Sequence, residues 1–265
     1  MNQREKKWEE LLESLRERLT DWLSSDEIFF QIHSADFKKI NASPRHLIPT
    51  YSAAEVPNAL RQRGLEHFRN LNGGCVLIRR RDFNLPTLFP SLKCTTKEEK
   101  KTLTIPATLD ILRNVSLHNE ETGIVLMKEF HLINDFLDTP EEFKLGGRIK
   151  TKVSGLATIG GRTFEVKATQ VEVDNFLESE SRIITIEAKL MRTQPRESFS
   201  LHQFALPTLL LCQRTQKPIS SILLEYQPDS LRFRTFHFKI AYEKGIVHLD
   251  RYSLINCKKY VIELT

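Results

Sequence analysis

Two short runs in the middle of the chain carry the residues best suited to chemistry: Gln170-Val171-Glu172-Val173-Asp174 and Thr185-Ile186-Glu187-Ala188-Lys189. Each alternates polar with apolar side chains, the period of a strand with one buried face. The polar stretch Glu178-Ser179-Glu180-Ser181 lies between them, which predicts a hairpin with a four-residue loop. Pairing Leu177 with Arg182 sets Glu172 opposite Glu187, Asp174 opposite Thr185 and Gln170 opposite Lys189. Gln170, Glu172, Asp174, Thr185, Glu187 and Lys189 then share one face, and Val171, Val173, Ile184, Ile186, Ala188 and Leu190 the other.

In this register Asp174 and Glu187 are diagonal neighbours, about 7–8 Å apart at the backbone. Uncompensated carboxylates this close repel and raise a pKa. A hard divalent cation removes the conflict, since Mg2+ accepts one or two carboxylates and keeps several waters. Such an ion activates water and polarises a phosphoryl oxygen, and Lys189 beside it is placed to orient or deprotonate a nucleophile. The chemistry indicated is phosphodiester hydrolysis. A solvated hairpin with alternating Glu and Lys shows the same pattern, and the spacing leaves both readings open. Two features weigh toward a site: Ile183-Ile184-Thr185-Ile186 is too apolar for an edge hairpin in water, and the helical stretch that follows carries Gln203 four residues before Pro207.

Asp…Glu-x-Lys followed by a helix with Gln resembles the core of PD-(D/E)XK nucleases. More narrowly, Gln170 to Asp174, Thr185 to Lys189 and Gln203 to Pro207 resemble the Q-I-E-I-D strand, I-I-E-A-K strand and Q-x-x-x-P helix of a family of type II restriction endonucleases. Gly147-Arg148, Glu121-Thr122 and Ser43-Pro44-Arg45-His46-Leu47 resemble further segments of that family more loosely. The similarity runs over about 41–240 and is strongest over 148–226. No proline precedes Asp174, Phe204-Ala205-Leu206 replaces a tyrosine-rich helix, and Ser43 stands where the family has an acid.

The resemblance implies Mg2+-dependent cleavage of double-stranded DNA to 5′-phosphate ends, with Mn2+ able to substitute. It also implies a homodimer on a palindromic site and a companion DNA methyltransferase encoded nearby. Carried over by residue, Asp174, Glu187 and the Ala188 carbonyl hold the metal and Lys189 is the catalytic lysine. Glu172 is an accessory carboxylate, Gln203 supports the site, and Glu121 is a helix-borne acid near the metal. The same core serves repair and junction-resolving nucleases, and a non-catalytic DNA-binding protein is the remaining alternative.

The elements that must hold these residues are readable in outline. Trp8, Leu11, Leu12, Leu15, Leu19, Trp22 and Leu23 recur at helical spacing and predict a helix over 5–24. Pro44, Pro49 and Pro57 break 41–60 into loop, a short helix is expected over about 57–70, and Asn72-Gly73-Gly74 turns into a strand at Cys75–Ile78. Residues 91–104 read as a polar linker with a boundary near 95. Helices are expected at 107–115, 118–138 and 199–214, and strands at 148–157, 162–177, 182–190, 218–226 and 231–240. The fold class expected is α+β with an α/β-like core, a central mixed sheet flanked by helices as in PD-(D/E)XK enzymes. Residues 1–95 would form a mainly helical, winged-helix-like DNA-binding region and 96–265 the nuclease core.

Composition is consistent with this. The 265 residues are 40% hydrophobic and 28% charged, with 39 Lys plus Arg against 34 Asp plus Glu and a net charge of +5. That excludes a disordered or fibrous chain and accommodates nucleic acid. Six arginines (61, 63, 69, 79, 80, 81) face one acid, Glu66, between Arg61 and Arg81, either a solvated face or a phosphate-contacting patch. Arg45, Arg79, Arg80, Arg81 and Arg148 are the candidates for DNA contact. The four cysteines form no C-x-x-C pair, against structural zinc and for a reducing compartment. With no signal-peptide pattern and no long apolar run, the expected location is the cytoplasm, without a membrane span. P-loop, H-E-x-x-H and G-x-S-x-G patterns are absent.

Overall fold

The computed structural model describes residues 2–103, 119–191 and 194–264. The first amphipathic stretch forms two helices, α1 (Gln3–Ser14) and α2 (Arg16–Leu23), broken at Leu15. Next come β1 (Phe29–Ile32), α3 (Ser34–Lys39), α4 (Pro44–Leu47), α5 (Asn58–Arg61), β2 (Leu65–Leu71) and β3 (Gly74–Arg79). After β4 (Glu98–Leu103) come α6 (Glu120–Glu129), α7 (Leu132–Leu137), β5 (Lys144–Leu145), β6 (Ile149–Ile159) and β7 (Arg162–Val173). The chain ends with β8 (Asn175–Glu178), β9 (Ile183–Leu190), α8 (His202–Cys212), β10 (Ile219–Gln227), β11 (Arg232–Glu243) and β12 (Ile246–Leu264). Among the described residues no helix is long and apolar enough to cross a membrane.

The class is α+β with a large mixed sheet between helices. Strands run in the order β1-β3-β2-β7-β6-β12-β11-β10-β9-β8-β5, and β4 pairs with β12. Neighbours are parallel at β9–β10, β6–β12, β4–β12 and β2–β7 and antiparallel elsewhere. On one side α8 packs Phe204, Leu206 and Leu209 into a core shared with Phe236, Phe238 and Val171. On the other side Ile124 and Met127 of α6 and Phe136 of α7 pack on Ile184, Ile186 and Ala188 of β9.

Several expectations are corrected. The N-terminal region adds three strands, β1 to β3, to its helices. The helix placed over 57–70 stops at Arg61, Gly64 takes a left-handed φ of +68°, and the chain continues as β2. Only glycine adopts that geometry cheaply, which lets the helix end and the strand begin within three residues. The boundary near 95 marks no break in packing: one core runs from Trp8 through Phe68, Leu88 and Leu92 to Leu249. Part of the proposed linker is β4, paired with β12. The helix over 118–138 is two, divided at His131, whose φ is +54°. The helix expected at 107–115 falls outside the described residues. Strand β12, the longest, was not foreseen.

The hairpin register is also corrected. Glu178 pairs with Ile183 and Asn175 with Ile186, so the loop is Ser179–Arg182, one residue later than the sequence suggests. The loop is pinned there by its side chains. Ser179 Oγ accepts from the Arg182 and Ser181 amides at 3.2 and 3.3 Å, and Glu141 pairs with Arg182 and bonds both serines. Because partner sums move by two, the side chains of β8 and β9 keep their faces. Continued by one residue, this register sets Asp174 opposite Glu187 instead of diagonal to it.

Helix α8 is the wall that holds Gln203, and Phe204 is its fully buried anchor, touching Phe199 and Phe238 with ring centroids 5.1 and 5.5 Å away. Phe204→Ala is expected to cost about 3–5 kcal/mol, measured by the urea midpoint. A cost under about 1 kcal/mol would mean that α8 does not anchor the sheet.

Candidate active site

The site forms where one long strand changes partners. Strand β7 pairs with β6 up to Val173, the chain bends at Asp174, and β8 begins against β9 at Asn175. The bend sends the apolar faces apart: Val171 and Val173 enter the core under α8, whereas Ile184, Ile186 and Ala188 enter the core under α6 and α7. The single apolar face expected of the hairpin is therefore split. Asp174 sits at the split, and its Oδ2 accepts from the Ala188 amide at 3.0 Å. A strand residue presents its N–H and C=O to the same edge, so the Ala188 carbonyl faces the side from which Asp174 comes.

Glu187 lies on the α8 side of β9 with 9% of its surface exposed. It accepts from Gln203 Nε2 at 2.5 Å and from Lys189 Nζ at 2.6 Å, both at Oε1. Lys189 Nζ lies 3.8 Å from Asp174 Oδ2 and 5.6 Å from the centroid of the Tyr51 ring. Two carboxylates thus bracket one ammonium. Burial pushes the Glu187 carboxyl up to about 7; Lys189 lowers it and the Asp174 charge adds to the rise. For Lys189 burial favours the neutral amine, but Glu187 and Asp174 outweigh it and the ammonium is held above its ordinary range.

These groups line a cleft of about 260 Å3 together with Gln170, Glu172, Arg148, Gln203 and His202. Its facing wall comes from the N-terminal region: Ile48 to Tyr51, His67 and Arg69. His67 is buried and His202 half-buried, and desolvation keeps both neutral, the first bonded to the Ile48 carbonyl at 2.8 Å and the second to Ser200 Oγ at 2.9 Å. Among the described residues no three His, Cys, Asp or Glu side chains form a metal-holding group. What converges is a pair of carboxylates.

Asp174, Glu187, Lys189, Glu172, Gln203 and Arg148, each marked by the sequence, reach this cleft. Thr185 does not: it is buried against Ser221 Oγ at 2.7 Å. Glu172 is exposed and ion-paired with Arg148, away from the Lys189 cluster. The helix-borne acid is Glu120, not Glu121. Asn119 caps α6 by accepting from the Thr122 amide, which fixes the helix phase. Glu120 then meets the Leu190 amide at 3.4 Å and acts electrostatically on Glu187 and Lys189, whereas Glu121 is exposed. A turn of about 100° per residue separates the two.

The arginine segment is not one patch. Arg79 bonds Asp82 and the Trp22 and Ser25 carbonyls, and Arg80 pairs with Glu66 at 3.1 Å. Both are engaged within the fold, and neither lines the cleft. Arg45 and Arg81 are exposed and line no part of the cleft. Arg69 and Tyr51 were missed: Tyr51 gave no signal beyond its type, and Arg69 was one of six in a charged segment.

A family model, described as a domain of unknown function (DUF6997), matches residues 86–261, well over half of the chain. The chain belongs to the DUF6997 family. No curated protein and no solved structure matches it. The DUF6997 match contains Asp174, Glu187, Lys189 and Gln203 but stops short of the wall formed by residues 48–69.

Glu187 makes stability pH-dependent. Its folded value of about 7 lies above the ordinary 4.5, so between these limits the folded state keeps a proton that the unfolded state has lost. Stability contributed by this group falls as pH rises through that window, by up to about 3 kcal/mol. In chelator, the stability of the wild type minus that of Glu187→Gln is expected to decline from pH of about 5 to about 8, read from denaturant midpoints. A flat difference would mean that Glu187 titrates normally.

Proposed function

We propose that the chain is a Mg2+-dependent endonuclease that hydrolyses phosphodiester bonds in double-stranded DNA. The observation that carries this reading is the bracket of Asp174 and Glu187 around Lys189 in a cleft, with Gln203 fixing Glu187. The residues fit a hard cation. Glu187 is a buried carboxylate whose ionisation is opposed by its surroundings, the condition that added positive charge relieves. Asp174 and Glu187 would hold Mg2+ with the Ala188 carbonyl, and one or two carboxylates are what this ion ordinarily takes from a protein. When bound, Mg2+ supplies Lewis acidity toward water and the phosphoryl oxygens.

The other roles belong to the chain. Lys189, held as an ammonium by two carboxylates, stabilises negative charge at the phosphate and orients the nucleophile. Gln203 restrains Glu187, so the carboxylate need not reorganise during the reaction. Glu120 adds negative charge at the N-terminal end of α6, from the face of the sheet opposite α8. The resemblance of these strands to type II restriction endonucleases supports sequence-specific cutting by a homodimer, with a methyltransferase as the protecting partner.

Purified protein with Mg2+ or Mn2+ is expected to cut phage DNA into discrete fragments, and EDTA to stop it. Lys189→Ala and Asp174→Ala should each lower the rate by on the order of 100-fold or more while duplex binding persists. Gln203→Ala, a positioning change, should lower kcat with little effect on KM. Cleavage that survives EDTA or Lys189→Ala would overturn the reading, and structure-dependent nicks in place of discrete fragments would move it to a repair or junction-resolving class.

A further inference from the structure

Arg69 combines two properties that no other arginine of its segment does, being half-buried and without a side-chain partner among the described residues; Arg81, also without one, is exposed. Arg61 donates to the Val56 carbonyl at 2.8 Å and Arg63 to the Ala59 carbonyl at 2.7 Å, and Arg79 and Arg80 are ion-paired. Among the described residues the Arg69 side chain makes no hydrogen bond and no ion pair. It is nevertheless half-buried, on β2, which pairs with β7, and it lines the same cleft as Asp174, Glu187 and Lys189.

A guanidinium carries five N–H donors in a planar fork. Half-burial works against the charge, which Tyr51 and Glu172 offset electrostatically. The neighbouring acid, Glu172, is committed to Arg148. His202 and His67 beside it are neutral and compete for no anion. The fork is thus a donor set with no protein acceptor among the described residues, in the cleft that also holds the carboxylates. The anion whose geometry matches a guanidinium fork, and which the proposed chemistry brings here, is a phosphodiester.

We infer that Arg69 binds a backbone phosphate of the DNA strand lying in the cleft, so that the N-terminal region completes the active site and is not a separable grip. This rests on the nuclease reading and adds a subsite from outside the DUF6997 match. Arg69 touches substrate and not the reacting atoms of the protein, so its effect falls on binding.

The test uses the full chain, a short fluorescein-labelled DNA duplex and Ca2+ in place of Mg2+, with affinity read by anisotropy across a salt series. Arg69→Gln should weaken binding about tenfold or more and lower the salt slope by about one. Lys6→Gln removes the same charge from an exposed position on α1 and should change affinity little. Arg69→Gln should also leave the thermal midpoint of the free protein unchanged or raised, because it removes a half-buried charge that makes no direct ion pair among the described residues, whereas a structural role predicts a lower midpoint. Should Arg69→Gln not fold, Arg69→Lys carries the comparison and a several-fold weakening is expected. Wild-type affinity in the Arg69 variants, with wild-type DNA cleavage intact, overturns this inference and leaves the nuclease reading standing. Absence of both duplex binding and cleavage by the wild type overturns the nuclease reading, and this inference with it.

Discussion

The arrangement depends on one costly placement, a carboxylate under a helix. Glu187 is buried where its ionised form is disfavoured, and the chain answers with an ammonium from the same strand and an amide from α8. Both partners exist only if β9 is registered correctly and α8 is seated correctly. The seating comes from the aromatic contacts of Phe204, and the register comes from the serine and glutamate bonds around the Ser179–Arg182 loop. Local chemistry at two distant points therefore converges on one oxygen atom, Oε1 of Glu187.

The bend at Asp174 is the second constraint. A continuous strand from 162 to 178 would keep one apolar face and bury it in one core. Here the two halves serve different cores, and the residue between them is left with its backbone outside either ladder. That frees Asp174 to turn its side chain onto the Ala188 amide. Separating strand partners at Asp174 gives its side chain an orientation that a regular ladder would not allow.

The site was more legible than the fold around it. Alternation assigned Glu187 and Lys189 to one face, and this survived the misplaced loop because face depends on parity alone. The loop position was invisible because it rests on Glu141, some 40 residues away in sequence. The N-terminal sheet was obscured because β2 follows a short helix through Gly64, and Leu65, Phe68 and His67 fit a helical spacing as well as a strand. Strand β12 escaped because exposed Leu254 and Ile255 interrupt the alternation expected of a half-buried strand. Arg69 was visible as charge but not as a site, since unmet donors are a property of three-dimensional surroundings.

Strand β12 has one more implication. It is the last strand in chain order yet occupies the middle of the sheet, with β11 along one edge and β6 and β4 sharing the other. During synthesis, the strands bearing Asp174, Glu187 and Lys189 leave the ribosome before the strand that joins their half of the sheet to the half bearing Arg69. A nascent chain therefore holds the pieces of the cleft without its connecting span, and long-range pairing of this kind closes slowly. A chain cut short before β12 keeps the acidic strands without the frame that turns them toward the opposite wall.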